Sequence, residues 1–299
     1  MTETETEIRE VTTSRAPLAS LETDRDRRVV VIKPAARLPR LDVPELWHYR
    51  ELLATLVWRD IKVRYKQTVI GVAWAILVPV FTLVVYVIIY GKFAHFGAGN
   101  LKYPVLVIGG LLPMQYFMSS VTGSGGSIVS GNALVSKVYF PRVLLPLGAV
   151  IVPAIDFLMS FSVMLAVMAW YSTWPTSAIA VLAPAFLLLA LVAALGLGLF
   201  LSALNVRFRD VQYAVPVFLQ VLPLLSGVPY AIPTLPEKWQ WILALNPMST
   251  VITGWRWTML GAAHPDPRQA AIGIAVTVVI FIGGLAFFRA SEPGFADMI

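Results

Sequence analysis

Hydrophobic and polar positions divide the chain into stretches of different rhythm. Up to about residue 40, polar and charged residues dominate, as in TETETEIREVTTSRAP, and RVVVIK is a short apolar patch. Residues 1–40 carry too little apolar side chain to offset chain entropy, so a disordered cytosolic tail is expected there. From 41 to 62 the rhythm turns helical. Leu46, Tyr49, Leu53, Leu56, Val57 and Ile61 recur on one face, while His48, Glu51, Thr55, Arg59 and Lys62 fall largely on the other. Asp42 and Glu45 have the spacing of a capping box, with Pro44 tolerated in the first turn. Such a helix is too polar to span a membrane and too apolar to float free. An amphipathic interfacial helix is therefore predicted over 41–62.

Beyond residue 63 the pattern becomes long apolar runs, at about 70–91, 104–123, 144–170, 179–204, 211–231 and 270–288. Each approaches or exceeds the ~20 residues needed to cross a hydrocarbon core. The fold class predicted over 63–299 is an all-α membrane protein with six transmembrane helices. The fifth run holds Pro216, Pro223 and Pro229, with Pro233 just beyond. A broken or re-entrant segment is expected after about Pro223, because irregular backbone at membrane depth needs cover from protein or a watery cavity. GSGGS at 123–127 is expected to end a helix and let the chain turn.

Composition agrees with this pattern. The chain is 58% hydrophobic and only 13% charged, with a mean hydropathy of +0.74. A soluble domain carries about 25% charged residues, so lipid must act as part of the solvent. The net charge of +6 fits loops rich in Lys and Arg facing anionic membrane lipids, with no nucleic acid needed to explain it. Arg59, Lys62, Arg64 and Lys66 precede the first run, Lys137 and Arg142 follow the second, Arg207 and Arg209 follow the fourth, and Arg289 follows the last. The opposite loops hold fewer cations close to span ends (Lys92, Lys102, Lys238, Arg256 and Arg268), which places both termini in the cytosol.

Chemistry-bearing motifs are sparse. The chain has no cysteine, which excludes disulfides, thiol catalysis and Cys-ligated metal. Its three histidines, His48, His95 and His264, show no metal-ligand spacing. No GxxxxGK[ST] phosphate loop is present, so ATP hydrolysis is expected in a separate chain. No GxSxG elbow or acid–base constellation marks an enzyme. Asp156 is the one acid well inside a predicted span. At a helix centre it would cost about 2.5–3.5 kcal/mol, so it should face the bundle interior. It either lines a conduit or serves as a structural hydrogen-bonding acid. Trp170, Tyr171, Trp174, Tyr230, Trp239, Trp241, Trp255 and Trp257 crowd the predicted outer boundary. They suit an aromatic belt, and they also suit stacking on sugar rings.

Four stretches in order resemble the permeases of ABC-2 type polysaccharide exporters. RYKQTVIGVAWAILVPV is similar to the approach to their first span, with Gly71, Trp74 and Pro79 in the expected order. NALVSKVYFPRVLLP resembles the loop between spans two and three, LNVRFRDV the turn between four and five, and LNPMSTVITGWRWTMLG the segment before the last span. The resemblance implies a half-transporter. Two copies form a homodimeric channel in the bacterial cytoplasmic (inner) membrane, above two P-loop ATPase subunits that bind ATP and Mg. The cargo implied is a lipid-linked polysaccharide such as O-antigen, capsule, teichoic acid or cell-wall galactan. It further implies that Arg64, Tyr65 and Lys66 stand at the cytosolic entrance, near the lipid head group. Asn132, Lys137, Phe140, Pro141 and Arg142 are implied to form the ATPase coupling loop. Trp74, Tyr230, Trp255 and Trp257 are conduit or outer-gate candidates. An ABC-2 type exporter of drugs or small lipids is an alternative, and a membrane-embedded glycan-processing enzyme is a rival of another class.

Overall fold

The computed structural model describes residues 43–66, 73–135, 137–175 and 178–298. The expected 1–40 tail, the Asp42 cap and Gly71 lie outside the described residues. Among those described, every regular element is helical.

The amphipathic stretch forms a short α1 (Val43–His48) and a longer α2 (Arg50–Lys66), one turn beyond the expected end. Its apolar stripe packs on protein. Leu56 is buried, and Leu53 and Val57 lie over Gly148, where an added Cβ would meet each at 3.6 Å. Trp47 and Trp58 point outward, with Arg50 and Lys62 each 5.3 Å from one of their ring centroids.

Five helices are long and apolar enough to cross a membrane: Ala73–Phe93, Tyr103–Ser130, Leu144–Trp170, Ile179–Arg207 and Pro267–Gly294. We label their main segments α3 (Ala73–Tyr86, continued by a π-helical stretch to Phe93) and α4 (Tyr103–Ser130). A short α5 (Asn132–Val135) follows. The third crossing is α6 (Leu144–Ile151) and α7 (Pro153–Trp170), broken before Pro153. The fourth is α8 (Ala183–Arg207), entered through a 3-10 turn. The expected fifth run yields α9 (Val211–Leu225). Its 15 residues span about 22 Å, short of the ~30 Å core, because the helix stops two residues after Pro223. Then come α10 (Glu237–Ala244), α11 (Pro247–Leu260), α12 (Pro267–Ser291) and a terminal α13 (Phe295–Met298).

The centre of the bundle is α4. Its apolar window is 78% buried, against 11% for α3. Small residues let helices approach it and each other. A Cβ on Gly198 would come 2.3 Å from Ser124 Oγ, and one on Gly284 would lie 1.9 Å from the Gly196 carbonyl oxygen. This corrects the expectation for GSGGS, which lies inside α4 rather than ending it. Close packing on α8 outweighs the low helix propensity of glycine, and Asn205 Nδ2 donates to the Gly125 carbonyl at 3.2 Å.

Prolines leave carbonyls without their helical donors, and neighbouring helices supply replacements. Pro79 cannot bond the Ala75 carbonyl, and Ser160 Oγ donates to it at 3.1 Å. Beside the α6–α7 break, where Pro153 cannot bond the Ala149 carbonyl, the next carbonyl, that of Val150, accepts from Tyr116 Oη at 3.3 Å and Ser120 Oγ at 3.4 Å.

Candidate functional site

Three polar contact sets stand out in this apolar bundle. The first joins α2 to α7. Arg64 Nη2 lies 2.7 Å from Asp156 Oδ2, and Tyr65 Oη donates to Asp156 Oδ1. Consecutive residues on α2 thus grip both oxygens of an acid 91 positions beyond Tyr65. Asp156 Oδ2 has no aligned hydrogen-bond donor, so charge rather than a directed bond holds Arg64 there. The Arg64 side chain stays 43% exposed and that of Asp156 22%, but Asp156 Oδ2 itself is buried, so solvent ions reach the pair from the arginine side. Burial first, and then the hydrogen bond to Asp156, push the Tyr65 hydroxyl up to about 12, with Arg64 acting in the opposite direction. Lys66, the last residue of α2, is exposed.

The second set surrounds the 132–142 loop. Asn132 and Lys137 are exposed, Phe140 and Pro141 are buried, and Arg142 is half-buried. Arg142 turns inward, where its Nη1 donates to the Glu292 carbonyl after α12.

The third set holds the broken segment after α9 and centres on Arg256, expected in an outer loop but placed inside a helix. Arg256, in the middle of α11, is 4% exposed. Its Nε donates to the Leu106 carbonyl at 3.0 Å, Nη1 to those of Gly227 (2.8 Å) and Tyr230 (3.1 Å), and Nη2 to that of Val228 (2.7 Å). Tyr103 Oη donates to the Pro229 carbonyl at 2.8 Å, and Tyr230 Oη to that of Leu224 at 2.7 Å. Asn246 caps α11 by accepting from the Met248 N–H at 3.0 Å. Its Nδ2 donates to the Leu225 carbonyl at 3.1 Å and to Ser226 Oγ at 2.8 Å. Side chains from α4 and α11 thereby replace the helical bonds lost where α9 stops, and Gly227 makes the turn at φ 76°. The available sequence signal was Arg256 itself, a cation among apolar neighbours in VITGWRWTML. Beside it lies a cavity of about 230 Å³, walled by Leu101, Ile232, Thr234 and Thr253 among others.

The aromatic candidates lie in different surroundings. Trp255 is buried, with its ring edge-on to Phe157 (5.6 Å) and Phe161 (6.1 Å) and its Nε1 without a hydrogen-bond partner. Trp257 is half-buried against His264 at 4.6 Å. Tyr230 meets Phe96 edge-on at 5.9 Å. Trp74 is exposed near the start of α3. Among the described residues, no three of His, Asp or Glu come together as metal ligands. The polar sets can bind, pair and hold backbone.

Comparison with known proteins places this architecture. Residues 51–260 match the family described as ABC-2 type transporter, a stretch that includes Arg64, Asp156 and Arg256. The O-antigen export system permease protein RfbA of Myxococcus xanthus is 32% identical over 259 residues, covering 86% of this chain and 98% of that protein. A protein of the same name from Klebsiella pneumoniae is 28% identical over 249 residues, 83% of this chain and 95% of its own. The polysialic acid transport protein KpsM of Escherichia coli is 24% identical over 255 residues, 79% of this chain and 92% of its own. Taken with the long apolar helices, these matches show that the chain is a multi-pass membrane protein belonging to the ABC-2 type transporter family.

Proposed function

We propose that this chain is the membrane subunit of an ATP-binding-cassette exporter. It moves a lipid-linked polysaccharide from the cytosolic leaflet across the bacterial cytoplasmic membrane, and a separate ATPase supplies the energy. The observation that carries this reading is the 32% identity over 98% of a protein named for O-antigen export. Two copies of the chain form the conduit above two ATPase subunits, which bind ATP and Mg and dock at residues 132–142. Both termini lie in the cytosol, and the chain itself makes no bonds.

Three features of the fold support this arrangement. The exposed Trp47 and Trp58, each with a cation beside its ring, suit α2 to the head-group level. On that placement α2 carries Arg64 to Asp156 at the cytosolic boundary. There an anionic carrier head group competes with Asp156 for Arg64, and Lys66 adds attraction worth about 1 kcal/mol. Finally, α9 serves as the fifth of six crossings, completed by the turn after Leu225, with α10 and α11 re-entrant. The carbonyl bonds made by Arg256, Asn246 and Tyr103 meet the demand that irregular backbone at membrane depth be satisfied.

Deleting the chain from its host tests the reading. Surface polysaccharide should be lost while its lipid-linked form accumulates inside, and re-expression of the chain should restore export. Normal surface polysaccharide in the deletion strain would overturn the proposal.

A further inference from the structure

The loop after α5 divides into a projecting half and a gripped half. Lys137 is exposed, as are the large side chains of Val138 (52%) and Tyr139 (68%). Phe140 and Pro141 turn back into the bundle, and Arg142 reaches the carboxy-terminal segment. Its guanidinium donates to the Glu292 carbonyl and sits 5.8 Å from the Phe295 ring centroid. Phe295 is fully buried and meets Phe288 of α12 edge-on at 5.3 Å. Arg289 Nη1 holds the Glu292 side chain at 2.9 Å. Among the described residues between α5 and α6, the backbone bonds are short-range, such as Lys137 N–H and Val138 N–H to the Leu134 carbonyl at 3.3 and 3.1 Å, and none reaches another helix. Its orientation must therefore come from what grips it.

We infer that the carboxy-terminal segment Glu292–Met298 is a clasp that sets the pose of the projecting Lys137–Tyr139 turn, with Arg142 and Phe295 as positioning residues. The inference rests on the docking role proposed above for residues 132–142 and assigns Arg142 a different task within it. Arg142 does not meet the ATPase. It ties the docking turn to α12 through Glu292 and Phe295, so a push on Tyr139 is delivered to α12 as well as to α4 and α6. Without the clasp, a displaced turn would swing on its own backbone and lose the motion.

The chain contains no cysteine, so Tyr139→Cys carrying a nitroxide gives a single reporter of the turn in the full chain in lipid nanodiscs. Phe295→Ala and Arg142→Gln should each increase label mobility. In chains that keep Tyr139, the same substitutions should weaken binding of the purified ATPase subunit about three- to tenfold, the range of one lost cation–π contact. Arg142→Lys, which keeps a cation beside the Phe295 ring and a donor for the Glu292 carbonyl, should recover most of the mobility and affinity lost in Arg142→Gln. Unchanged mobility and affinity in Phe295→Ala would overturn the clasp, as would an Arg142→Gln loss that Arg142→Lys fails to recover. If Phe295→Ala does not fold, Arg142→Gln tests the same contact with the aromatic core intact. The docking reading fails separately if adding the ATPase subunit leaves the label in the otherwise unchanged chain as mobile as before.

Discussion

Arg64 and Arg256 meet their surroundings in opposite ways. Arg64 faces a carboxylate at 2.7 Å, and its side chain stays 43% exposed. Arg256 is 4% exposed and spends its donors on four backbone carbonyls. An ion pair in contact with water gains little over hydration, so another anion can replace its partner at small cost. A buried guanidinium and its acceptors have no such exchange, because separating them strands polar groups on both sides. The first arrangement suits a contact remade during a transport cycle. The second suits a permanent joint between α11, α4 and the turn after α9.

Breaking the joint should have the larger effect. Arg256→Met strands the carbonyls of Leu106, Gly227, Val228 and Tyr230, each worth about 1–3 kcal/mol when unsatisfied. Even with water entering, a loss of about 3 kcal/mol or more is expected. Thermal unfolding of the purified chain in detergent should show a fall of about 10 °C. A fall no greater than that of Asp156→Asn would erase the contrast between the two arginines.

At the exchangeable site, Asp156→Asn should cost about 1 kcal/mol or less. The difference from the parent chain should shrink as ionic strength rises from about 0.01 to 0.5 M, because salt screens exposed charges. Combining it with Arg64→Gln should reveal a coupling of about 0.5–1 kcal/mol in a double-mutant cycle. Additive losses would mean that the pair is merely adjacent.

The smallest effect should come from Tyr65→Phe, about 0.5–1 kcal/mol for one hydrogen bond. Its pH dependence carries the sharper signature. The Tyr65 hydroxyl is raised from 10.0 to about 12, so the folded state keeps a proton that the unfolded chain has already released. Its contribution is complete below pH 10 and is lost as pH rises towards 12. Tyr65→Phe should flatten that alkaline limb relative to the parent, and parallel curves would contradict the raised hydroxyl.

Much of the helical layout was legible in the pattern of residues. Apolar runs long enough to cross a bilayer announce their helices, and the stripe from Leu46 to Ile61 is the face of α1 and α2 that packs inward. Proline after Leu219 signalled the end of α9, which falls at Leu225. Those signals are local, and the residues that produce them lie within a few turns of one another. GSGGS misled for the same reason. Its glycines weaken a helix in isolation, and only α8 lying alongside turns their smallness into contact.

What the sequence alone determined is therefore where the chain becomes apolar, which face of the basic helix turns inward, and where backbone hydrogen bonding must fail. The tertiary structure decided the partners. It brought Asp156 to Arg64 and Tyr65, turned Arg142 toward Glu292 rather than outward, and buried Arg256 among carbonyls instead of leaving it in a loop. Helical period and span length are properties of neighbouring residues. The company of a charge depends on which distant helices come to lie beside it, and in this bundle close packing of small residues around α4 settles that.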